Sequence, residues 1–303
     1  YLPEFYYDIK GVQVIKKIGI SHGENKISVT YIIKSNNNNI KFKISPLVNF
    51  RNFHATKSLY RGEQELKNNC VRIKLNKEHD LYMSLSCGEY RQYYNTYYQN
   101  MYYREENERG LDDMESHYMP GFFEVALSKN EERVIEFVAS IDDALKFNMK
   151  SNSEQIIRAE EARLQKVCKI YGVQNDTDKA LAIAADSFLI EKAYGKTLIA
   201  GYHWFSDWGR DTFIAFEGIL LRTNRFNDAK NILNSFSKHI KNGLIPNVIN
   251  DDGGFGYNTV DASLWFINAV YEYYKYTNDK DFVNSIYNTL IEIINAYKNG
   301  TDY

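Results

Sequence analysis

The hydrophobic period of this chain changes once, near residue 151, and that change limits the architecture more than any other feature. Before it, apolar and polar residues alternate in short runs: GVQVIKKIGIS, ENKISVTYIIKS, IKFKISPLVNF, CVRIKLN, DLYMSLSC, GFFEVALS and RVIEFVASI. Period two belongs to strands with one buried face, and Gly, Asn and Pro interrupt the runs where turns are needed. Many short strands of this kind predict an antiparallel β-sandwich over residues 1–150. Residues 90–121 depart from the pattern. They are rich in tyrosine and charge and read as a long loop, and a loop of that length in a compact domain is expected to be functional or to cover a neighbour.

From residue 151 the period is helical. Residues 151–174 read as a linker helix with charges along one face. A second helix is expected in DKALAIAADSFLIEKA, capped by Asp176 or Thr177, and helix again from Thr212 onward. In DAKNILNSFSKHIKN, Asn227 is placed to cap, and Ala229, Ile232, Leu233, Phe236 and Ile240 fall on one face before Gly243 ends the run. Two more helices are predicted, from about Val260 to Tyr276 and from Asp279 to about Lys298. Helices joined by short links, with no strand repeats, predict stacked antiparallel hairpins over residues 175–303. The fold class is therefore α+β, in two domains.

Composition narrows the functional classes. With 44% hydrophobic and 25% charged residues, the chain is an ordinary globular protein. A formal net charge of −2 gives no electrostatic ground for nucleic acid or an anionic membrane as partner. The 3 cysteines, Cys70, Cys87 and Cys168, have no metal-ligand spacing and read as reduced thiols. No apolar run is long enough to span a bilayer and no signal peptide opens the chain, so a cytoplasmic location is the expectation. The abundance of aromatic residues, 25 Tyr and 17 Phe, is compatible with stacking on the apolar faces of sugars. No phosphate loop, zinc motif or nucleophile elbow is present, and neither cofactor nor metal is expected.

Two segments carry groups able to do chemistry. In HWFSDWGRDTF, residues 203–213, Asp207, Arg210 and Asp211 lie among Trp204, Phe205, Trp208 and Phe213. In NDDGGFGYNTVDASLWF, residues 250–266, a glycine-rich loop leads into a helix whose first turn holds Asp261. Each group has an ordinary explanation. Asp207 can cap a helix, Asp261 can answer the helix dipole, and Arg210 with Asp211 can form a structural ion pair. Together they exceed what a helix start needs. Adjacent sugar hydroxyls require paired acceptors and donors above an aromatic floor, and this cluster supplies both.

These residues resemble the amylo-α-1,6-glucosidase part of glycogen debranching enzymes. The resemblance is continuous through WFSDWGRDTFIAFEGILLRTNRFNDAKNILNSFSKHIKNGLIPNVIN and YNTVDASLWFINAV. It extends to that family's N-terminal β-sandwich in PLVNFRNFHATKS and YREENERGLDDMESHYMPGFFEVAL. It implies a β-sandwich followed by the first part of an (α/α)6 toroid, and an inverting hydrolase that removes single α-1,6-linked glucose units from glycogen or a related branched α-glucan. By motif, Asp261 matches the general acid. Arg210 and Asp211 match the pair gripping the glucose whose bond is cut, with Asp207, Trp208, Asn247 and Tyr257 completing that subsite.

The resemblance also implies a glutamate base further along the chain than Tyr303. Six hairpins need roughly 180–240 residues, more than follow Asn175. The expectation is a fragment, truncated at both ends, that holds the acid and the sugar clamp but not the base and is inactive alone. Glu272 and Glu292 are weak substitutes for that base. His54 and His203 are lesser candidates for contacts with sugar, and the charged segment 104–116 for covering the mouth of the site. A glucoamylase-like α-1,4-glucosidase or trehalase, and a non-catalytic glycan-binding protein, remain the alternatives. Oligomeric state is not indicated.

Overall fold

The structure, a computed structural model, describes residues 2–36, 38–51, 55–56, 62–77, 79–141, 153–192, 195–201, 205–250 and 254–301. The chain divides into two compact units, Tyr1–Arg163 and Leu164–Tyr303.

The first unit opens with β1 (Glu4–Ile9), β2 (Val12–Ile20), β3 (Lys26–Ser35) and β4 (Ile40–Ile44). There follow β5 (Gln64–Lys67), β6 (Cys70–Lys74), β7 (Asp80–Leu85) and β8 (Glu89–Gln92). Then come β9 (Tyr97–Tyr102), the short helix α1 (Arg104–Glu108), β10 (Met114–Tyr118), β11 (Gly121–Leu127) and β12 (Glu132–Ser140). Seven strands form one sheet in the order β1-β2-β3-β12-β7-β6-β5, and a second sheet is ordered β4-β11-β8. Every pairing is antiparallel. Alternate residues of the large sheet, Val29, Ile33, Ile135, Phe137, Val71 and Ile73, meet Phe123, Val125 and Leu127 of β11 in one core. That is the packing of a sandwich, with the period-two pattern supplying both inner faces.

The outer face of the large sheet carries Ser28, Thr30 and Ser140, all buried. The helix α2 (Ser153–Ile170) explains why small polar residues stand there. A Cβ at Gly19 would lie 2.9 Å from Ile157, so the absent side chain lets the helix approach. Ser153 Oγ lies 2.6 Å from Thr30 Oγ1 and donates to Glu136 Oε1 at 3.0 Å, and the same carboxylate accepts the Glu154 N–H at 3.0 Å. Glu136 therefore caps α2 from the sheet, satisfying amides that a helix N-terminus leaves open. A helix stands within the expected stretch, over Ser153–Ile170, and its first turn is fastened to the sheet.

The second unit begins in α2 and continues through α3 (Asp176–Ser187), β13 (Leu189–Lys192), β14 (Gly195–Leu198) and β15 (Asp207–Trp208). Next are α4 (Gly209–Phe216), a π turn (Glu217–Leu221), α5 (Phe226–Ser237), β16 (Val248–Ile249) and β17 (Phe255–Gly256). It closes with α6 (Ala262–Thr277), α7 (Lys280–Ser285) and α8 (Tyr287–Asn299). The helix α6 is central and packs on α4, α5, α7 and α8. Phe213 sits at the heart of this core, edge-on to Phe266 at 5.3 Å and to Phe236 at 4.9 Å.

Several expectations fail in detail. Residues 90–121 are not a long loop: they hold β9 and β10, paired with a bulge between Glu115 and His117. Tyrosine favours strands, but here the solvent face is also aromatic, which hides the alternation. The second half also holds strands that the sequence reading did not name: β13 and β14 form a hairpin and β15-β16-β17 a small sheet. The predicted helix does not extend over LIEK: α3 ends at Ser187 and Leu189–Lys192 is a strand. The cap of α3 is Asn175, which accepts the Asp178 N–H at 2.9 Å, not Asp176 or Thr177. Asn227 lies inside α5, which stops at Ser237, well before Gly243. The helix after Asp279 is broken at Ile286 into α7 and α8, with Asp279 capping the first.

Candidate functional site

The segment entering α4 is aimed by β15, whose Asp207 and Trp208 pair with Ile249 and Val248 of β16. Gly209 then starts the helix. Its N–H donates to Asn247 O at 2.7 Å, and a Cβ there would collide with the Pro246 carbonyl oxygen. Only glycine permits this approach, and it brings residues 207–211 against residues 246–249. Asn247 in turn donates its N–H to Gly256 O at 2.7 Å, tying in the segment that leads to α6. Tyr297 of α8 donates its hydroxyl to Val260 O at 2.6 Å, so the start of α6 is held from a third side.

This framework brings Arg210 to Asp261, 51 residues apart in sequence. The Arg210 Nε lies 3.0 Å from Asp261 Oδ1 and 2.9 Å from Oδ2. Thr259 donates its hydroxyl to Oδ1 at 2.9 Å. Asp261 occupies the position just before α6 without capping it by its side chain. Burial pushes its carboxyl upward, but the Thr259 hydroxyl and the Arg210 guanidinium outweigh this and hold it below the usual aspartate range. At neutral pH it is an anion. The arginine side chain is 51% exposed and the aspartate 32%, so solvent or a ligand can reach both.

The remaining predicted residues differ in how their groups are used. Asp207 is fully buried and accepts from Lys192 Nζ at 2.7 Å and from Thr197 Oγ1 at 3.2 Å. Its carboxylate ties β15 to the β13–β14 hairpin. Trp208 is half-buried at the helix entrance. Asp211 is exposed and, among the described residues, has no hydrogen-bond or ion-pair partner. It borders an apolar depression of about 340 Å³ floored by Leu198, Ile199 and Ile214. Asn247 is buried, and its Oδ1 has no donor among the described residues. Tyr257 donates its hydroxyl to His239 O at 2.8 Å, and burial raises its phenol above the usual range.

Glu272 is paired with Lys275 at 2.9 Å, and Glu292 accepts the Gly243 N–H at 3.0 Å. His54 and His203 lie outside the described residues. Sequence reasoning missed Thr259, Lys192 and Thr197. Only Thr259 left a signal, two residues before Asp261 in the same motif. Among the described residues no group of His, Cys, Asp or Glu is arranged to hold a metal ion, and no helix is long and apolar enough to cross a membrane.

Comparison with known proteins gives these residues a context. A family model described as "Glycogen debranching enzyme N terminal" matches residues 1–134, and one described as "Amylo-alpha-1,6-glucosidase" matches residues 183–303. The glycogen debranching enzyme of Saccharomyces cerevisiae (strain ATCC 204508 / S288c) is 46% identical over 66 residues, which are 22% of this chain and 4% of the yeast protein. Among solved structures, a bacterial glucoamylase complexed with acarbose aligns over 98% of this chain with a TM-score of 0.58 and 16% identity. The chain spans 48% of that glucoamylase, and the likeness is one of fold: an antiparallel β-sandwich followed by helical hairpins of the (α/α)6 type. Two models of one family match the two ends of the chain, and the chain belongs to the glycogen debranching enzyme family.

Proposed function

We propose that the chain carries the glucose clamp and the proton donor of an inverting hydrolase that removes single α-1,6-linked glucose stubs from branched α-glucan. The observation that carries this reading is the pair Arg210–Asp261, which joins the N-terminal ends of α4 and α6 in reach of solvent. In this mechanism Asp261 gives its proton to the glycosidic oxygen as the bond from C1 to that oxygen breaks. Water attacks C1 from the opposite face and loses its proton to a second carboxylate about 6.5–9.5 Å away. No residue of this chain is assigned that second role.

A general acid must hold its proton near neutral pH, and Asp261 in the ligand-free state does not. Arg210 resolves the conflict if sugar hydroxyls compete for its guanidinium. Once that donor turns to the substrate and water is excluded, burial dominates and the Asp261 carboxyl rises. The Asn247 oxygen, buried without a donor among the described residues, gains one from a hydroxyl. Asp211 supplies a second acceptor and Trp208 an apolar wall. Asp207 acts at one remove, positioning β15 through Lys192 and Thr197. Incubation of the full-length protein with branched limit dextrin, maltose and trehalose tests the reading. Glucose should come from the dextrin and appear first as the β-anomer, whereas glucose from maltose alone would sink it.

The lowered pKa of Asp261 favours a second reading, in which the site grips glycan as a fixed anion and turns nothing over. Calorimetry with a glucosyl-branched oligosaccharide separates the two. Tight binding by a full-length protein that releases no glucose would select the second.

A further inference from the structure

The first unit holds a depression of about 380 Å³, within the range of about 300–1,000 Å³ usual for small-molecule sites. It is built around the turn between β8 and β9. Tyr93 and Tyr94 stand on that turn, with Gln92 and Asn95 beside them and Gln64 and Tyr118 below. The floor is rigid: the Gln64 amide donates to Tyr118 Oη at 2.7 Å and Pro120 O at 2.9 Å, and accepts from the Tyr90 hydroxyl at 2.7 Å. The turn is pinned on both sides, by Tyr93 N–H to Pro120 O at 2.8 Å and Met119 N–H to Thr96 O at 2.9 Å. Asn95 takes a left-handed conformation, φ 50°, that asparagine tolerates better than most residues. The Tyr93 ring is braced on Phe122 at 5.2 Å.

On this fixed base Tyr94 is 83% exposed. Among the described residues the amides of Gln92 and Asn95 have no hydrogen-bond partner. The described lining holds one carboxylate, Glu63, beside neutral polar groups. An exposed tyrosine on a pinned turn, flanked by two amide side chains, suits a neutral polyhydroxyl ring. The ring's C–H face lies on the tyrosine, and each amide offers a donor and an acceptor to adjacent hydroxyls. We infer that this turn is a second, non-catalytic binding site for α-glucan chains, carried by the β-sandwich. The inference rests on reading the protein as one that acts on α-glucan.

Affinity electrophoresis of the full-length protein in gels containing glycogen tests it. The protein should be retarded. Tyr94→Ala should raise the apparent dissociation constant about tenfold, as expected for loss of one stacked ring, while Tyr94→Trp should keep or strengthen retardation. Arg210→Ala, at the other site, should leave most of the retardation. Retardation that is absent, or unchanged in Tyr94→Ala, or abolished by Arg210→Ala, would overturn the inference. Turnover of a short branched oligosaccharide, read in parallel, keeps the two proposals apart. Tyr94→Ala should hydrolyse it like the parent. A protein retarded through Tyr94 but inert on that substrate would leave this site standing and remove the hydrolase reading.

Discussion

Two arginine–carboxylate pairs, one in each unit, show how the same chemistry is used in opposite ways. In the β-sandwich unit, Glu115 of β10 is buried with its side chain fully enclosed. It accepts from Arg51 Nε at 2.5 Å and Nη2 at 2.8 Å, from Asn49 Nδ2 at 2.8 Å and from the Tyr103 hydroxyl at 2.7 Å. In the helical unit, Asp261 receives a single guanidinium nitrogen and one hydroxyl, and both its side chain and that of Arg210 reach solvent. A carboxylate with four donors has nothing left to offer a ligand. A carboxylate with two donors at the surface does. Number of donors and burial, more than the identity of the pair, separate a strut from a site.

The sharpest way to break this contrast is Asp261→Asn. In the full-length protein it should lower hydrolysis of α-1,6 stubs by about 10²–10⁴-fold, the usual contribution of a general acid, and leave stability within about 1 kcal/mol. A variant that keeps its turnover would return Asp261 to the role of an ordinary surface pair. Glu115→Gln should behave in the reverse manner. It removes the buried negative charge on which Arg51, Asn49 and Tyr103 converge, and should cost about 3–5 kcal/mol in chemical denaturation. If denaturation midpoints show Glu115→Gln to be as mild as Asp261→Asn, burial does not distinguish the pairs.

The third effect is smaller and concerns Asn247. An unsatisfied buried acceptor is a cost to the folded state, so Asn247→Leu should be neutral or slightly stabilising. If the acceptor is retained for a sugar hydroxyl, the same change should raise KM about tenfold, near the 1.4 kcal/mol expected for one hydrogen bond to ligand. Clear destabilisation with KM unchanged would mark Asn247 as structural.

What the sequence disclosed, and what it did not, follows from how far each interaction reaches. The runs that became β2, β3, β6, β7, β11 and β12 were legible because one face of each meets the core while neighbours alternate outward. The tyrosine-rich β9 was not, since its exposed face is also aromatic and alternation vanishes. Leu189–Lys192 has helical propensity but pairs with Gly195–Leu198, a tertiary choice that local preference does not record. In the site, Arg210 and Asp261 were found through the motifs around them, and the structure brings them together. The commitment of Asp207 to Lys192 and Thr197 was hidden, because a buried aspartate and a ligand-binding one look alike in sequence. The Glu115 network was missed for the same reason: its donors come from residues 49, 51 and 103.

The smallest expected effect is on acid stability, where both carboxylates act with the same sign but different size. Burial raises Glu115, yet the donors from Arg51 and Tyr103 outweigh it and bring the folded-state pKa below 4.5, the ordinary value. Asp261 is likewise brought below 3.8. A carboxylate depressed on folding stabilises the protein above its unfolded pKa, and that contribution fades as pH falls through the folded value. The stability gap between parent and Glu115→Gln should therefore be full at pH 6 and shrink below about pH 4. For Asp261→Asn the gap should stay under about 1 kcal/mol at every pH, because its pair with Arg210 is screened by water and salt. Denaturation from pH 7 to pH 3 reads both gaps in one series. An Asp261→Asn gap as large and as pH-dependent as that of Glu115→Gln would show a pair locked into the fold, with an arginine too firmly held to turn toward a sugar.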